Sequence, residues 1–151
     1  QQDIAHIPTM LPALQRAYAR HDDLAGLETH LYQLLGEAPY TSVIVALGAL
    51  VHQRDGVDSA IERTGEWLAE APSLGGLDYL VDLYLESERL MGKETPDTRL
   101  MLLKHHTKAL MGGRPRQRCR RCGFSSDSLA WQCPSCRRWG TIKPITGVEG
   151  E

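Results

Sequence analysis

Up to about Leu110, apolar residues recur at intervals of three and four, a spacing that predicts a succession of amphipathic helices. Three helical pairs can be followed. The first carries Leu11, Leu14, Tyr18, Leu27, Leu31 and Leu34 at its apolar positions and closes on Pro39. The second, counted from Thr41, places Ile44, Leu47 and Val51 on one helix, Ala60, Thr64 and Trp67 on the next, and closes on Pro72. The third begins with Leu77, Leu80, Val81 and Tyr84; its second helix is expected from about Pro96 through Leu110, with Leu100, Leu103 and Leu110 as apolar positions. Each of these residues is expected to lie in the core. Gly112-Gly113 ends the last helix.

The chain also matches itself when shifted by 33 residues. Leu24-Ala-Gly-Leu27, running on to Gly36-Glu-Ala-Pro39, parallels Val57-Asp-Ser-Ala60, running on to Leu68-Ala-Glu-Ala-Pro72. Both segments follow an acidic turn, and both stop at Ala-Pro, because proline lacks a donor and its ring collides with the preceding helical turn. A period near 34 suggests the tetratricopeptide repeat, two antiparallel helices per unit. Gly48 and Ala60 are the small residues that let the two helices of the second unit approach. The predicted architecture is mainly α, a solenoid of helical hairpins over residues 1–111.

After Gly113 the pattern changes. Four cysteines fall in one short stretch, Cys119-Arg-Arg-Cys122, then ten residues, then Cys133-Pro-Ser-Cys136. Two such pairs form tight knuckles that can present four thiolates to one tetrahedral ion. Gly123 follows the first pair, where a knuckle often needs positive φ, and Pro134 stiffens the second. Large apolar residues are few here: Phe124, Leu129, Trp131, Trp139, Ile142, Ile145 and Val148. A unit this small seldom holds together by burial alone, so a structural ion is expected to supply its folding energy. Residues 112–151 are therefore expected to form a small metal-binding β unit, with two short hairpins carrying the knuckles. Disulfide and redox readings suit the spacing less well. Zinc is favoured because a closed four-cysteine shell needs no redox partner. Iron stays open, since rubredoxins use the same ligands. They carry Gly after each pair, however, and here Arg137 follows the second.

Charge divides the chain at the same place. Residues 1–111 hold nine Lys+Arg against sixteen Asp+Glu, and residues 112–151 eight against three. Opposite charge could help the two parts dock. Seven arginines surround the cysteines, where they would offset the formal −2 of four thiolates on a divalent ion. No apolar run approaches the roughly 18 residues that span a membrane, and no signal peptide is visible. Because the chain starts at Gln1, it is expected to be a fragment or a processed product. The six histidines show no metal-type spacing. No phosphate loop, nucleophile elbow or triad is present, so no catalytic residue is assigned. Asp22-Asp23 is expected to cap a helix.

The string Cys119-x-x-Cys122-Gly-Phe, then Trp131-x-Cys133-Pro-Ser-Cys136-Arg-x-Trp139-x-Thr-Ile-Lys-Pro144, placed after helical repeats, resembles the lipopolysaccharide assembly protein B (LapB) family. The resemblance is specific over the C-terminal stretch and rests on repeat architecture elsewhere. It implies a rubredoxin-like unit with Cys119, Cys122, Cys133 and Cys136 as metal ligands. It also implies an N-terminal membrane anchor absent from this chain, which by itself would be soluble, and a place on the cytoplasmic face of the bacterial inner membrane. The implied function is a non-enzymatic adaptor that works with the protease FtsH to limit the deacetylase LpxC and is restrained by LapC (YejM). Two other classes remain open. One is a nucleic-acid-binding zinc ribbon, with Arg114–Arg121 on phosphates and Phe124, Trp131 and Trp139 stacking bases. The other is a rubredoxin-like electron carrier.

Overall fold

The structure, a computed structural model, describes residues 4–148 and 150. A 3-10 turn, Ile4–His6, leads into six helices: α1 Ile7–Arg20, α2 Leu24–Glu37, α3 Thr41–Asp55, α4 Val57–Glu70, α5 Leu74–Leu90 and α6 Thr98–Met111. Each helix packs on the next. In addition α1 touches α3 and α3 touches α5, the pattern of stacked helical hairpins. Among the described residues no helix is long and apolar enough to cross a membrane.

Local chemistry sets the helix starts. The Asp23 carboxylate accepts from the Gly26 N–H at 2.8 Å and the Ser73 hydroxyl from the Gly76 N–H at 3.1 Å, each satisfying a donor that has no partner within its helix. Asp22, at φ 53°, turns the chain ahead of α2, so the acidic pair serves the turn and the cap. The first core cluster joins Leu11, Leu27, Leu31, Tyr40, Val43, Ala46 and Leu47; a second joins Val51, Val57, Ala60 and Leu83. Half-buried Trp67 packs against both.

Gly48 sits where α3 meets its neighbours. A Cβ there would lie 2.7 Å from Tyr79 Cε1 and 2.8 Å from Thr64 Oγ1. Alanine favours a helix over glycine by about 1 kcal/mol, but overpacking of a filled site costs about 1–3 kcal/mol. The contacts are short enough for the second effect to win. Gly48→Ala is therefore expected to lower the denaturant midpoint; an unchanged or raised midpoint would show that the site can relax.

Two parts of the third helical pair differ from expectation. Val81 is buried as expected, but Leu77 is 37% and Tyr84 43% exposed, because Gly76, Leu83 and Ser87 take the other inward positions of α5. On α6, Leu103 and Leu110 are 40% and 50% exposed and Leu100 is half-buried, whereas Lys104 and Thr107 are buried. The reason lies on α5. Lys104 Nζ donates to one carboxylate oxygen each of Asp78 and Asp82, both at 2.6 Å, and to the Asp78 carbonyl at 3.0 Å. The Thr107 hydroxyl donates to the other Asp78 oxygen at 2.7 Å. Polar groups can occupy the interior when paired this closely.

Beyond α6 the chain forms a small antiparallel sheet, β1 Gln117–Cys119, β2 Ser125–Ser126 and β3 Ile142–Pro144, in the order β2-β1-β3. Gln117 lies opposite Ser126 on one side, and Cys119 opposite Ile142 on the other. This ribbon docks on the helices at two places. The His6 ring packs on Trp131 with centroids 5.3 Å apart, and His6 Nε2 lies 3.0 Å from Lys143 Nζ. At the other, the Leu74 N–H donates to the Val148 carbonyl at 2.9 Å and the Thr41 hydroxyl to that of Gly150 at 3.3 Å.

Candidate metal centre

Each cysteine pair lies in a minimal hairpin. The first spans the β1–β2 turn; the second lies between Gln132 and Trp139, which form an isolated antiparallel bridge. The two knuckles repeat the same bonding. In the first, the Gly123 N–H donates to the Cys119 carbonyl at 3.0 Å and the Cys119 N–H to the Phe124 carbonyl at 2.7 Å. In the second, the Arg137 N–H donates to the Cys133 carbonyl at 2.8 Å and the Cys133 N–H to the Arg138 carbonyl at 2.9 Å. Arg137 is thus the counterpart of Gly123, and both are left-handed, at φ 56° and 78°. For a residue with a Cβ that conformation costs roughly 1–2 kcal/mol. The absence of Gly after Cys136 therefore leaves the knuckle's shape intact, which removes the departure from the rubredoxin pattern as a geometric objection to iron.

The four sulfurs converge. All lie within 4.8 Å of one another, with Cys119–Cys136 at 3.8 Å and Cys122–Cys133 at 3.6 Å. A tetrahedral shell with metal–sulfur bonds of about 2.3 Å has sulfur–sulfur edges of about 3.8 Å. All four cysteines are free thiols, and these separations are far beyond the roughly 2.05 Å of a disulfide. The residues therefore fit a four-coordinate ion. Cys119 and Cys133 are buried with Ile142 beneath them, Cys136 is half-buried, and Cys122 is exposed. Phe124, Leu129 and Ala130 complete the small core.

Electrostatics in the metal-free chain are uneven. The Thr141 hydroxyl, 3.3 Å from Cys119 Sγ, and then the Cys122 N–H hold the Cys119 thiol down to about 6. The Phe124 N–H lowers Cys122. Cys133 also receives the Cys136 and Ser135 N–H groups, but burial and the adjoining Cys122 and Cys136 sulfurs outweigh them and raise it to about 11. A divalent cation supplies the charge that lets all four sulfurs ionise together.

All four ligands expected from sequence are thus brought together, and among the described residues no other His, Cys, Asp or Glu group is so clustered. His105 and His106 merely pack edge-on, with ring centroids 5.6 Å apart. Sequence reading missed Thr141, which supports Cys119, and His6, which anchors the ribbon to the first helix. Neither has a local signal, since each acts through a contact distant in sequence.

Comparison with known proteins agrees with this geometry. The family described as "Rubredoxin metal binding domain" matches residues 118–144, which contain both knuckles and β3. Lipopolysaccharide assembly protein B of Escherichia coli K12 is 32% identical over 150 residues, covering 99% of this chain and 38% of the relative. The protein of that name in Haemophilus influenzae Rd is 28% identical over 157 residues, covering 99% and 37%. The chain thus spans well under half the length of these curated relatives. It carries a rubredoxin-type metal-binding domain of the LapB zinc-ribbon family and is a homologue of lipopolysaccharide assembly protein B.

Proposed function

We propose that this protein is a non-enzymatic adaptor in lipopolysaccharide biosynthesis, which brings the deacetylase LpxC to the protease FtsH at the cytoplasmic face of the inner membrane. LapC (YejM) would restrain it, and a membrane anchor outside this chain would hold it in place. In this reading residues 1–111 are the repeat unit and 112–151 the metal unit. Cys119, Cys122, Cys133 and Cys136 hold a structural zinc ion. The carrying observation is the four-cysteine cluster in a domain of this family, joined to chain-long similarity to lipopolysaccharide assembly proteins. Stacked helix pairs suit such work, because their surfaces can hold a peptide or a partner helix without doing chemistry.

The protein's own residues supply orientation. Cys119, Cys122, Cys133 and Cys136 would tie the two knuckles together through a bound ion, and the His6–Trp131 contact holds the ribbon against the helices. In a Gram-negative host, with the natural anchor restored, Cys119→Ser or Cys133→Ser is expected to release the metal and raise the steady-state level of LpxC. LpxC turnover that stays normal while the metal-free protein is present at its usual abundance would defeat the adaptor reading. The purified native protein should be colourless with zinc; a red protein would assign iron and reopen the electron-carrier reading.

A further inference from the structure

The exposed tip of the ribbon carries more cationic and aromatic surface than a structural metal site requires. Convergence of the sulfurs sets the two knuckles side by side, and Arg120 and Arg121 of the first and Arg137 and Arg138 at the end of the second belong to the turns that carry them. All four are exposed, and none makes a side-chain hydrogen bond or ion pair with a described residue. Trp139, next in sequence, is 71% exposed.

Charge compensation of the thiolates accounts for only part of this. Four guanidinium groups exceed the formal −2 of the loaded site, and the knuckle N–H groups already favour the sulfur charge. Arg137 adds an independent argument. Its counterpart in the first knuckle is Gly123, with the same bonding and the same left-handed backbone. Glycine would hold that turn with less strain, so an arginine there points to use of its side chain.

We infer that this tip docks an acidic segment of a partner protein. Carboxylates would be clamped by Arg137, Arg138 and the first-knuckle arginines, with an apolar side chain laid against Trp139. The residue types favour this occupant over others. From residue 112 onward the chain has seven arginines and one lysine, and that lysine, Lys143, faces His6. A diffuse attraction to anionic lipid is met equally well by lysine, whereas the planar fork of arginine matches carboxylates in pairs. Single-stranded nucleic acid needs a series of stacking rings. Here Phe124 belongs to the ribbon core and one side of the Trp131 ring is taken by His6, although that residue is 59% exposed, so Trp139 offers the most open ring. Arginine and tryptophan together are also the residues that most often anchor protein interfaces. The inference holds whether or not the adaptor reading does.

The test uses the zinc-loaded chain and a labelled peptide that alternates Asp and Glu with Leu, beside its Asn and Gln counterpart. The acidic peptide should bind and change tryptophan emission. Arg137→Gly should weaken binding about tenfold, a loss of about 1.4 kcal/mol, while zinc content and Tm hold or rise. Arg137→Lys, which keeps the charge but loses the fork, should also bind less tightly than wild type. Equal affinity of the variants, or equal binding of the neutral peptide, would overturn the proposal. So would loss of zinc from Arg137→Gly, which would assign that side chain to charge compensation. Tighter binding of a single-stranded oligonucleotide or of phosphatidylglycerol vesicles, lost on the same substitutions, would give the surface to another class of partner.

Discussion

Replacing Cys133 by serine is expected to empty the metal site and unfold the ribbon while α1–α6 remain helical. The asymmetry follows from what each part buries. The helices own two apolar clusters independent of the cysteines. The ribbon core consists of Ile142 and two sulfurs, flanked by half-buried Phe124, Leu129 and Ala130. Apolar burial on that scale does not offset the ordering of some thirty residues. A structural zinc shell contributes apparent folding free energy on the order of 10 kcal/mol, so its loss should decide the outcome. Elemental analysis should show less than one ion per chain. Near-ultraviolet circular dichroism, with Trp131 and Trp139 as its ribbon reporters, should lose structure, and the helical far-ultraviolet signal should persist. Full metal content with an unchanged tryptophan signal would contradict this.

The second large effect is expected at Lys104. Its side chain is only 11% exposed and bonds both Asp78, 17% exposed, and Asp82, which is more open. Burial alone would depress the lysine, but the two carboxylates outweigh it and hold its pKa above the ordinary value. Lys104→Ala would leave Asp78 charged and short of a partner against α6, at a cost of about 2–3 kcal/mol; the open position of Asp82 keeps this below the 3–5 kcal/mol typical of a fully buried pair. Because the folded pKa is raised, the contribution is complete below the ordinary lysine pKa and is lost only as pH climbs through the folded value. Wild type and variant should therefore differ by a constant amount across neutral pH and converge in strong alkali. Chemical denaturation over that range reads this directly. A gap that closes near neutrality, or is absent there, would rule out the charged pairing.

These two sites also show what the sequence displays and what it hides. The second helical pair was readable, because Gly48 and Ala60 sit at regular spacing among Ile44, Leu47 and Val51, and all five are buried. The metal centre was readable for a similar reason: both knuckles are built within five or six residues, so ligand spacing and turn chemistry occur together in the string. The inner face of α6 was not. Leu100, Leu103 and Leu110 carry the apolar rhythm, and the burial of Lys104 depends on Asp78 and Asp82, which lie 26 and 22 positions away. Local hydropathy cannot register a charge that is neutralised from another helix. Arg137 escaped for the opposite reason. The usual mark of a left-handed residue is glycine, and here the bonding of Cys133 imposes the conformation on a residue that carries no such mark.

The contact between His6 and Lys143 spans 137 positions. The helices pack mostly on their sequence neighbours and can form while the chain is still being synthesised. Lys143, Trp131 and all four sulfurs emerge after α6 is complete, so His6 must wait for the ribbon before that junction closes. Metal capture therefore follows helix formation, and a shortage of the ion would arrest the protein with these helices built and the strap across them undone.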